Sequence, residues 1–279
     1  MEYVTLSNGI QMPQLGYGVY QTPPEDTERC VTEALEVGYR SIDTAQVYGN
    51  EAGVGAAIAK CGIDRSELFI TTKVWYSNSG YEKAKASIEE SLKKLQTDYV
   101  DLLLIHQPFG DYYSMYRAIE DAYREGKVKA LGVSNFYSDR LVDIANFVEI
   151  PPMVNQVETH VFWQQKEARP FMDKYDVRIE SWGPLAQGNK DFFNNAALKA
   201  IGGKYGKTIS QTALRFLLQE GIILIPKTVH RDRMEENFNI FDFSLDKEDM
   251  EAIRSMDEGK SLFFHHETGE TAELFMSWI

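Results

Sequence analysis

The feature that most constrains this chain is an alternation of short apolar runs with amphipathic stretches along most of its length. The runs of β-branched and aliphatic residues predict strands, and the stretches between them have the apolar spacing of helices. Parallel strands need a crossover of this kind, so the alternation predicts βα units and a parallel sheet. Eight strands are predicted, at residues 15–19, 39–42, 68–72, 100–105, 128–133, 153–157, 177–182 and 222–224.

Helical patterns fill the intervals between the predicted strands, and the predicted fold is therefore an α/β protein of the closed (β/α)8 barrel type. A doubly wound sheet is the alternative, but no Gly-x-Gly-x-x-Gly segment opens a helix after any of these strands. We expect a single barrel domain over residues 1–279. The predicted helices are 26–37, 50–60, 81–95, 112–124, 139–147, 164–174, 210–219 and 232–239.

The first residues predict an antiparallel β-hairpin that precedes the barrel. Two short runs, 3–5 and 11–13, flank Asn8-Gly9, a dipeptide typical of a type I′ turn. Such a hairpin can cover the bottom of a closed barrel.

The charge balance restricts the partners of the protein. The 279 residues include 29 Lys and Arg against 42 Asp and Glu, a formal net charge of −13, so neither nucleic acid nor an anionic membrane is expected to bind. The two cysteines form no disulfide or metal-ligand pattern, and the first residues lack the pattern of a signal peptide. We expect a cytoplasmic, metal-free protein, monomeric or weakly oligomeric, with a small-molecule partner.

Polar residues follow the predicted strands at their C-terminal ends, where α/β barrels place their active sites. Each of them alone could cap a turn or be a satisfied polar group. Their convergence on one face of the barrel is what indicates a site. These residues are Asp43, Lys73, His106, Ser134, Asn135, Gln156 and Trp182.

Four residues of this region form a set that could protonate a developing alkoxide. A tyrosine has an ordinary pKa of about 10, and an adjacent Lys73 ammonium is expected to lower the pKa of Tyr48 by stabilising its phenolate. Asp43 would keep Lys73 charged and in place, because an unpaired charge there is costly. His106 could donate a hydrogen bond that orients a carbonyl oxygen. Hydride must come from a cofactor, since no side chain donates it.

A basic segment follows the eighth predicted strand in an otherwise acidic chain. Residues 225–237 contain Lys227, His230, Arg231 and Arg233 and open a helix, whose N-terminus favours anions. The loops after strands seven and eight are the usual phosphate site of this fold, so we predict a phosphate site here rather than a solvated basic turn.

These blocks together resemble the aldo-keto reductase superfamily over nearly the whole chain. The resemblance rests on residues 38–45 and 48–55, on the blocks around Lys73 and His106, on residues 132–136 and on residues 225–227. Residues 181–188, Ser-Trp-Gly-Pro-Leu-Ala-Gln-Gly, are most similar to bacterial members of the 2,5-diketo-D-gluconate reductase type.

The resemblance implies an NADPH-dependent oxidoreductase that reduces aldehydes or ketones to alcohols. It implies that Tyr48 is the general acid, that Lys73 and Asp43 tune it, and that His106 orients the substrate carbonyl. The cofactor-binding residues that it implies are Ser134, Asn135 and Gln156 for the nicotinamide carboxamide, Trp182 for the nicotinamide ring, Leu185 and Gln187 for the pyrophosphate, Lys227, Thr228 and Arg233 for the 2′-phosphate, and Glu236 and Asn237 for the adenine.

The substrate pocket is where the sequence departs from the commonest pattern of the family. Tyr20 and Gln107 stand where Trp is frequent. The tail after the last predicted helix is expected to form a short flap and to leave a fairly open aromatic pocket. His265 and His266 in this tail are expected to be solvated rather than metal-bound. The expected substrate-binding residues are Tyr20, Trp75, His106 and Phe109.

Two other functions remain open on the sequence alone. Lys73 could be the Schiff-base nucleophile of an aldolase barrel, although an aldolase would not need the basic segment. The same fold could also serve as a non-catalytic NADPH-binding regulatory protein, although that role would not need Asp43, Tyr48, Lys73 and His106 together.

Overall fold

The computed structural model describes residues 1–278, and its main feature is an eight-stranded sheet in which every neighbouring pair of strands is parallel. Each strand pairs with the next one along the chain. The strands are β1 (Tyr3–Thr5), β2 (Gln11–Pro13), β3 (Tyr17–Gly18), β4 (Ser41–Asp43), β5 (Phe69–Val74), β6 (Val100–Ile105), β7 (Val128–Ser134), β8 (Val154–Glu158), β9 (Arg178–Trp182) and β10 (Ile223–Leu224).

Backbone hydrogen bonds join the two ends of this sheet. Gly16 N donates to Leu224 O at 2.7 Å, and Leu224 N donates to Gln14 O at 2.9 Å. Leu15 and Leu224 form a parallel bridge at the same place. The strands β3 to β10 therefore form a nearly closed barrel, and the predicted (β/α)8 fold is confirmed.

Helices follow the barrel strands and surround the barrel, as the alternation predicts. The eight predicted helices are present, with ends displaced by at most two residues except in one case. The helices are α1 (Pro24–Val37), α2 (Glu51–Lys60), α3 (Tyr81–Leu95), α4 (Tyr112–Arg124), α5 (Ser138–Phe147), α6 (Arg169–Lys174), α7 (Ala196–Tyr205), α8 (Ile209–Gln219), α9 (Arg231–Phe238), α10 (Lys247–Arg254) and α11 (Gly269–Met276).

The helix predicted over residues 164–174 is too long, because α6 begins only at Arg169. Gln165 has a left-handed backbone with φ +58°, and its side chain donates a hydrogen bond to Glu158 O. Three helices, α7, α10 and α11, were missed. The pair Gly202-Gly203 weakens the helical pattern of α7, and the other two span eight residues each.

The N-terminal hairpin is present, but its turn is not of type I′. Tyr3 pairs with Pro13 and Thr5 with Gln11, and Gly9 N donates to Leu6 O at 2.8 Å. In this turn Gly9 has a positive φ of +87°, whereas Asn8 does not have the positive φ that a type I′ turn requires.

The hairpin covers the bottom of the barrel, as predicted. The side chain of Asn8 donates to Lys129 O near the start of β7, and Arg178 at the start of β9 donates to Thr5 O. Within the described residues 1–278, no helix is long and apolar enough to cross a membrane.

Helices α2 and α3 pack so closely that their contact depends on Gly55. A methyl group on Gly55 would overlap the carbonyl oxygen of Lys94 and would lie 2.7 Å from the carbonyl carbon of Leu95. Both are backbone atoms and cannot rotate away.

We therefore expect Gly55→Ala to lower the free energy of unfolding by about 1–3 kcal/mol, because the methyl group overpacks a backbone contact. Urea unfolding measures this change. The matched control is Gly203→Ala in α7, where a methyl group meets no described atom within 4 Å and should stabilise the helix. Equal stabilities of Gly55→Ala and the wild-type protein would contradict the packing.

Candidate active site

The polar residues predicted at the strand ends do meet at one end of the barrel. Asp43 is the last residue of β4, Lys73 is next to last in β5, and His106 directly follows β6. Gln156 lies in β8, and Trp182 ends β9. Because these strands are parallel, their C-terminal ends share one rim.

Lys73 and Asp43 form an ion pair inside the barrel. The Lys73 Nζ lies 2.6 Å from Asp43 Oδ1, and the two side chains are 0% and 3% exposed. Lys73 also donates to Thr44 O at 2.9 Å and to the Tyr48 hydroxyl oxygen at 3.3 Å. Burial by itself lowers the pKa of Lys73, but Asp43, Tyr48 and Glu180 outweigh burial and raise this pKa above its ordinary value. Lys73 is therefore an ammonium ion.

These contacts argue against Lys73 as a Schiff-base nucleophile. Such a lysine attacks as a neutral amine, which requires a lowered pKa. The Lys73 nitrogen instead donates to three oxygen atoms, those of Asp43, Thr44 and Tyr48, and its pKa is raised.

Tyr48 closes a short 3-10 turn, Gln46–Tyr48, and is half-buried. Burial raises the pKa of Tyr48 to about 12, while the charge of Lys73 and its hydrogen bond act in the opposite direction. The expected net lowering of the Tyr48 pKa is therefore wrong, because desolvation outweighs the ammonium. Tyr48 is protonated at neutral pH, and Lys73 reduces the cost of ionising it.

His106 is a buried, neutral imidazole beside the tyrosine. Burial, the charge of Lys73 and the proximity of His266 hold the pKa of His106 well below its ordinary value. Its ring centroid lies 5.5 Å from that of Tyr48 and 5.0 Å from that of Trp75. His106 Nδ1 has no hydrogen-bond partner among the described residues. A neutral imidazole carries one N–H and can donate a single hydrogen bond.

The predicted substrate-binding aromatic residues surround this centre. The ring of Tyr20, which is 48% exposed, lies 5.1 Å from that of Tyr48. Trp75 contacts His106, and Phe109 lies next to the C-terminal tail. The rim is therefore aromatic, as the sequence predicts.

The C-terminal tail covers part of the barrel mouth, as the expected flap would do. Phe275 of α11 lies 5.2 Å from Phe109, and its carbonyl oxygen accepts a hydrogen bond from the Tyr76 hydroxyl. The start of the tail is held by Glu158 of β8, whose carboxylate accepts hydrogen bonds from the Ser261 hydroxyl and from Leu262 N.

His266 in the tail is buried, which corrects the expectation of a solvated histidine. Its ring packs against Phe275, Phe264 and Tyr137, and burial lowers the pKa of His266 to about 4. A cavity of about 210 Å³ opens beside it, between the tail and the loop that carries Phe109. Within residues 1–278 no group of three or more His, Cys, Asp or Glu residues could hold a metal ion.

The four predicted nicotinamide-binding residues are joined by a chain of hydrogen bonds. Ser134 donates from its hydroxyl to Gln156 O at 2.9 Å, and the Asn135 amide donates to the Ser134 hydroxyl at 3.2 Å. Trp182 Nε1 in turn donates to Asn135 Oδ1 at 2.8 Å. Asn135 is held in the left-handed region, with φ +61°, directly after β7.

The predicted pyrophosphate loop follows Trp182 and has an unusual backbone. Leu185 precedes a kinked 3-10 segment, Ala186–Asn194, in which Gln187 and Gly188 have positive φ angles. Gln187 is exposed and Leu185 is half-buried.

The predicted phosphate-binding residues lie at the start of α9. Lys227 and Arg233 are exposed, and Lys227 donates to Gln21 O at 3.3 Å. Thr228 is buried, and its hydroxyl accepts a hydrogen bond from His230 N. These residues leave two exposed cations at the N-terminus of a helix.

Two other residues of this segment have protein partners, and a third is buried. Arg231 forms ion pairs with Glu36 and Glu235, so its charge is already compensated. Glu236 accepts a hydrogen bond from the Thr208 hydroxyl at 2.6 Å. Asn237 is 4% exposed.

The sequence-based search missed Glu180, which lies in β9 and is fully buried next to the ion pair. Gln156 Nε2 donates both to Asp43 Oδ2 at 2.9 Å and to Glu180 Oε2 at 2.8 Å. The available signal was the charged residue itself, because strands of parallel sheets are usually apolar throughout.

Comparisons with known proteins agree with this geometry. A family model described as Aldo/keto reductase family matches residues 6–258. The chain is 44% identical over 257 residues to glyoxal reductase of Bacillus subtilis (strain 168), which covers 91% of this chain and 92% of that protein. It is also 40% identical over 262 residues to methylglyoxal reductase DkgA of Escherichia coli (strain K12), and this match covers 93% of this chain and 94% of that protein.

A similar solved structure is that of a mutant of Gox0644 in complex with NADPH. It superposes with a TM-score of 0.88 at 39% sequence identity, over 93% of this chain and 96% of that one.

Both single substitutions Asp43→Asn and Lys73→Met should lower the free energy of unfolding by about 3–5 kcal/mol, because each leaves one buried charge unpaired. The double variant should lose clearly less than the sum of the two. Urea unfolding of the four proteins at pH 7 measures the coupling.

The matched control is the exposed ion pair of Lys60 with Glu28, where Glu28→Gln should change stability little. Additive losses in the double variant would show that Lys73 and Asp43 do not act as a pair.

Proposed function

The chain belongs to the aldo/keto reductase family, and on this premise we propose that it reduces small 2-oxoaldehydes with Tyr48 as the general acid. It is an oxidoreductase that uses NADPH to reduce carbonyl groups to alcohols. The observation that carries the proposal is the position of Tyr48, within 3.3 Å of a buried ammonium and beside a neutral histidine.

Tyr48 supplies the proton in this mechanism. Its hydroxyl donates to the carbonyl oxygen of the substrate as negative charge develops there. The phenolate that remains is stabilised by the Lys73 ammonium, which the Asp43 carboxylate holds in place. A tyrosine with a pKa of about 12 is therefore protonated before the reaction and can still ionise during it.

His106 orients the carbonyl. Because burial and Lys73 keep its imidazole neutral, His106 donates one hydrogen bond without competing with Tyr48 as the acid. Its position between Tyr48 and Trp75 supports this role.

The residues present fit a nicotinamide cofactor. When bound, NADPH supplies the hydride that reduces the carbonyl carbon. Trp182 has a partly exposed ring for stacking, and Ser134, Asn135 and Gln156 offer amide and hydroxyl groups at the same rim. Next to Gln156, the buried oxygen Glu180 Oε1 has no hydrogen-bond partner among the described residues.

We assign the 2′-phosphate of the cofactor to the segment that follows β10 and begins α9. Lys227, Thr228 and Arg233 would bind the 2′-phosphate, because they combine exposed cations with a hydroxyl at a helix N-terminus. The remaining assignments follow the family resemblance. They are Leu185 and Gln187 for the pyrophosphate, and Glu236 and Asn237 for the adenine.

The substrate class follows from the relatives and from the rim. Two relatives whose matches cover more than 90% of this chain are named as reductases of glyoxal and methylglyoxal. A rim of Tyr20, Trp75 and Phe109, narrowed by the tail, suits a small and weakly polar molecule. Substrate binding by His106 and these three aromatic residues is part of the proposal.

We further propose a cytoplasmic, monomeric or weakly oligomeric protein with a single barrel domain over residues 1–279. The free thiols of Cys30 and Cys61 support a reducing compartment. Small-molecule substrates suit a protein with a net charge of −13, for which nucleic acid and anionic membranes are unfavourable partners.

Tyr48→Phe should lower the single-turnover rate of methylglyoxal reduction by about 10²–10⁴-fold, because the general acid is lost while the ring remains. Stopped-flow loss of NADPH absorbance measures it. Tyr205→Phe, which removes a hydroxyl bonded to Asp249 on the outside of the barrel, is the control and should react at the wild-type rate. A wild-type rate for Tyr48→Phe would exclude Tyr48 as the acid.

Replacing Lys227 by Met and Arg233 by Gln together should weaken NADPH binding by about 100-fold or more, since charge-assisted hydrogen bonds to the 2′-phosphate are lost. NADH has no such phosphate and should bind within about threefold of its wild-type affinity. Fluorescence titration measures both dissociation constants.

The control for this pair is Arg231→Gln, because Arg231 is already paired with Glu36 and Glu235. Its NADPH affinity should change far less. Equal losses for NADPH and NADH in the double variant would mean that Lys227 and Arg233 do not recognise the 2′-phosphate.

A further inference from the structure

Glu180 is an acidic residue in the interior of the barrel that the mechanism above does not use. In the sheet it is paired with Gln156 of β8 on one side and with Ile223 of β10 on the other. Residues paired across neighbouring strands point to the same face of a sheet, so Glu180 and Gln156 both point into the barrel. The side chain of Glu180 is fully buried.

The amide group of Gln156 is held from two sides. Its Nε2 lies 2.9 Å from Asp43 Oδ2 and 2.8 Å from Glu180 Oε2. A side-chain amide has two N–H donors, so the two carboxyl groups occupy both of them. The orientation of the amide is thereby fixed, and Gln156 Oε1 is the atom left to accept a hydrogen bond from a ligand.

Burial favours the protonated form of Glu180 at neutral pH. The titratable groups that face it are Asp43 on β4 and Lys73 on β5, which already neutralise each other. Burial and Asp43 raise the pKa of Glu180 to about 8, while the hydrogen bond from Gln156 and the charge of Lys73 act against them. Neutral Glu180 still offers an oxygen to Gln156 without adding a charge to the dry interior.

We propose that Glu180 is a positioning residue for the cofactor, which holds Gln156 so that its amide oxygen accepts a hydrogen bond from the nicotinamide carboxamide. This inference rests on the proposed use of NADPH. It concerns the nicotinamide half alone, because among the described residues the Glu180 side chain forms no hydrogen bond with those assigned to the phosphates and adenine.

The test compares Glu180→Leu with Glu180→Gln by fluorescence titration at pH 7. Glu180→Leu removes the acceptor, so Gln156 can rotate, and NADPH should bind about tenfold more weakly. Adenosine 2′,5′-bisphosphate, which lacks nicotinamide, should bind to all three proteins within about twofold. Glu180→Gln resembles the protonated acid and should restore NADPH binding to within about twofold of wild type.

Two controls separate positioning from a general loss of structure. Glu120→Gln alters another buried carboxyl group, one that accepts hydrogen bonds from Glu149 N and Ile150 N, and should leave NADPH binding unchanged. Glu180→Leu also leaves a buried Gln156 N–H without its acceptor, so its melting temperature should fall modestly. Binding of the bisphosphate within about twofold of wild type then shows that the fold and the phosphate half of the site are intact.

The pH dependence of stability gives an independent readout. A carboxyl group whose pKa is 4.5 when unfolded and about 8 when folded stabilises the protein below pH 4.5, and this stability is lost as the pH rises to 8. Relative to Glu180→Gln, the unfolding equilibrium constant of the wild-type protein should rise about tenfold per pH unit in this window and level off above it.

The inference would be overturned by wild-type NADPH affinity in Glu180→Leu, or by an equal loss for the bisphosphate. It would also be overturned if Glu180→Gln bound NADPH as weakly as Glu180→Leu. Failure of the proposed function looks different, since wild-type protein would then neither bind NADPH nor reduce methylglyoxal.

Discussion

The structure of the active site depends on one buried ion pair, Lys73 with Asp43. Two opposite charges in the barrel interior are tolerated because they are 2.6 Å apart and each has a further hydrogen-bond partner. Lys73 donates to Thr44 O, and Asp43 accepts from the amide of Gln156. The pair leaves an ammonium beside Tyr48 without adding net charge to the interior. The charge of Lys73 lowers the pKa of Tyr48 below the value that burial alone would give, and this makes the tyrosine usable as an acid.

The same ion pair connects the two halves of the chemistry. Through its second oxygen Asp43 accepts a hydrogen bond from Gln156, which also contacts Glu180. The residues proposed for proton transfer and those proposed for the nicotinamide therefore share one network of hydrogen bonds. A substitution among the proton-transfer residues should therefore affect the nicotinamide-binding residues, and the reverse. This shared network explains why the barrel strands carry polar residues where a purely structural core would be apolar.

Sequence reasoning predicted the barrel well because its signals are local. The alternation of strands and helices fixes a parallel sheet, and the strand ends place Asp43, Lys73 and His106 on one rim. It failed where long-range packing decides. The burial of Tyr48, the burial of His266 in the tail and the partners of Glu180 all depend on contacts between distant segments. The sign of the Tyr48 pKa shift could not be predicted because desolvation depends on these contacts.

The most direct test of Tyr48 as the acid is the pH dependence of a single turnover from pH 5.5 to 7.5, with saturating NADPH and methylglyoxal. Because the pKa of Tyr48 is about 12, it stays protonated throughout this range, and the rate of the chemical step should be independent of pH. His106 has a pKa well below its ordinary value. If protonated His106 were the acid, the rate would fall about tenfold with each pH unit, and that result would contradict the account.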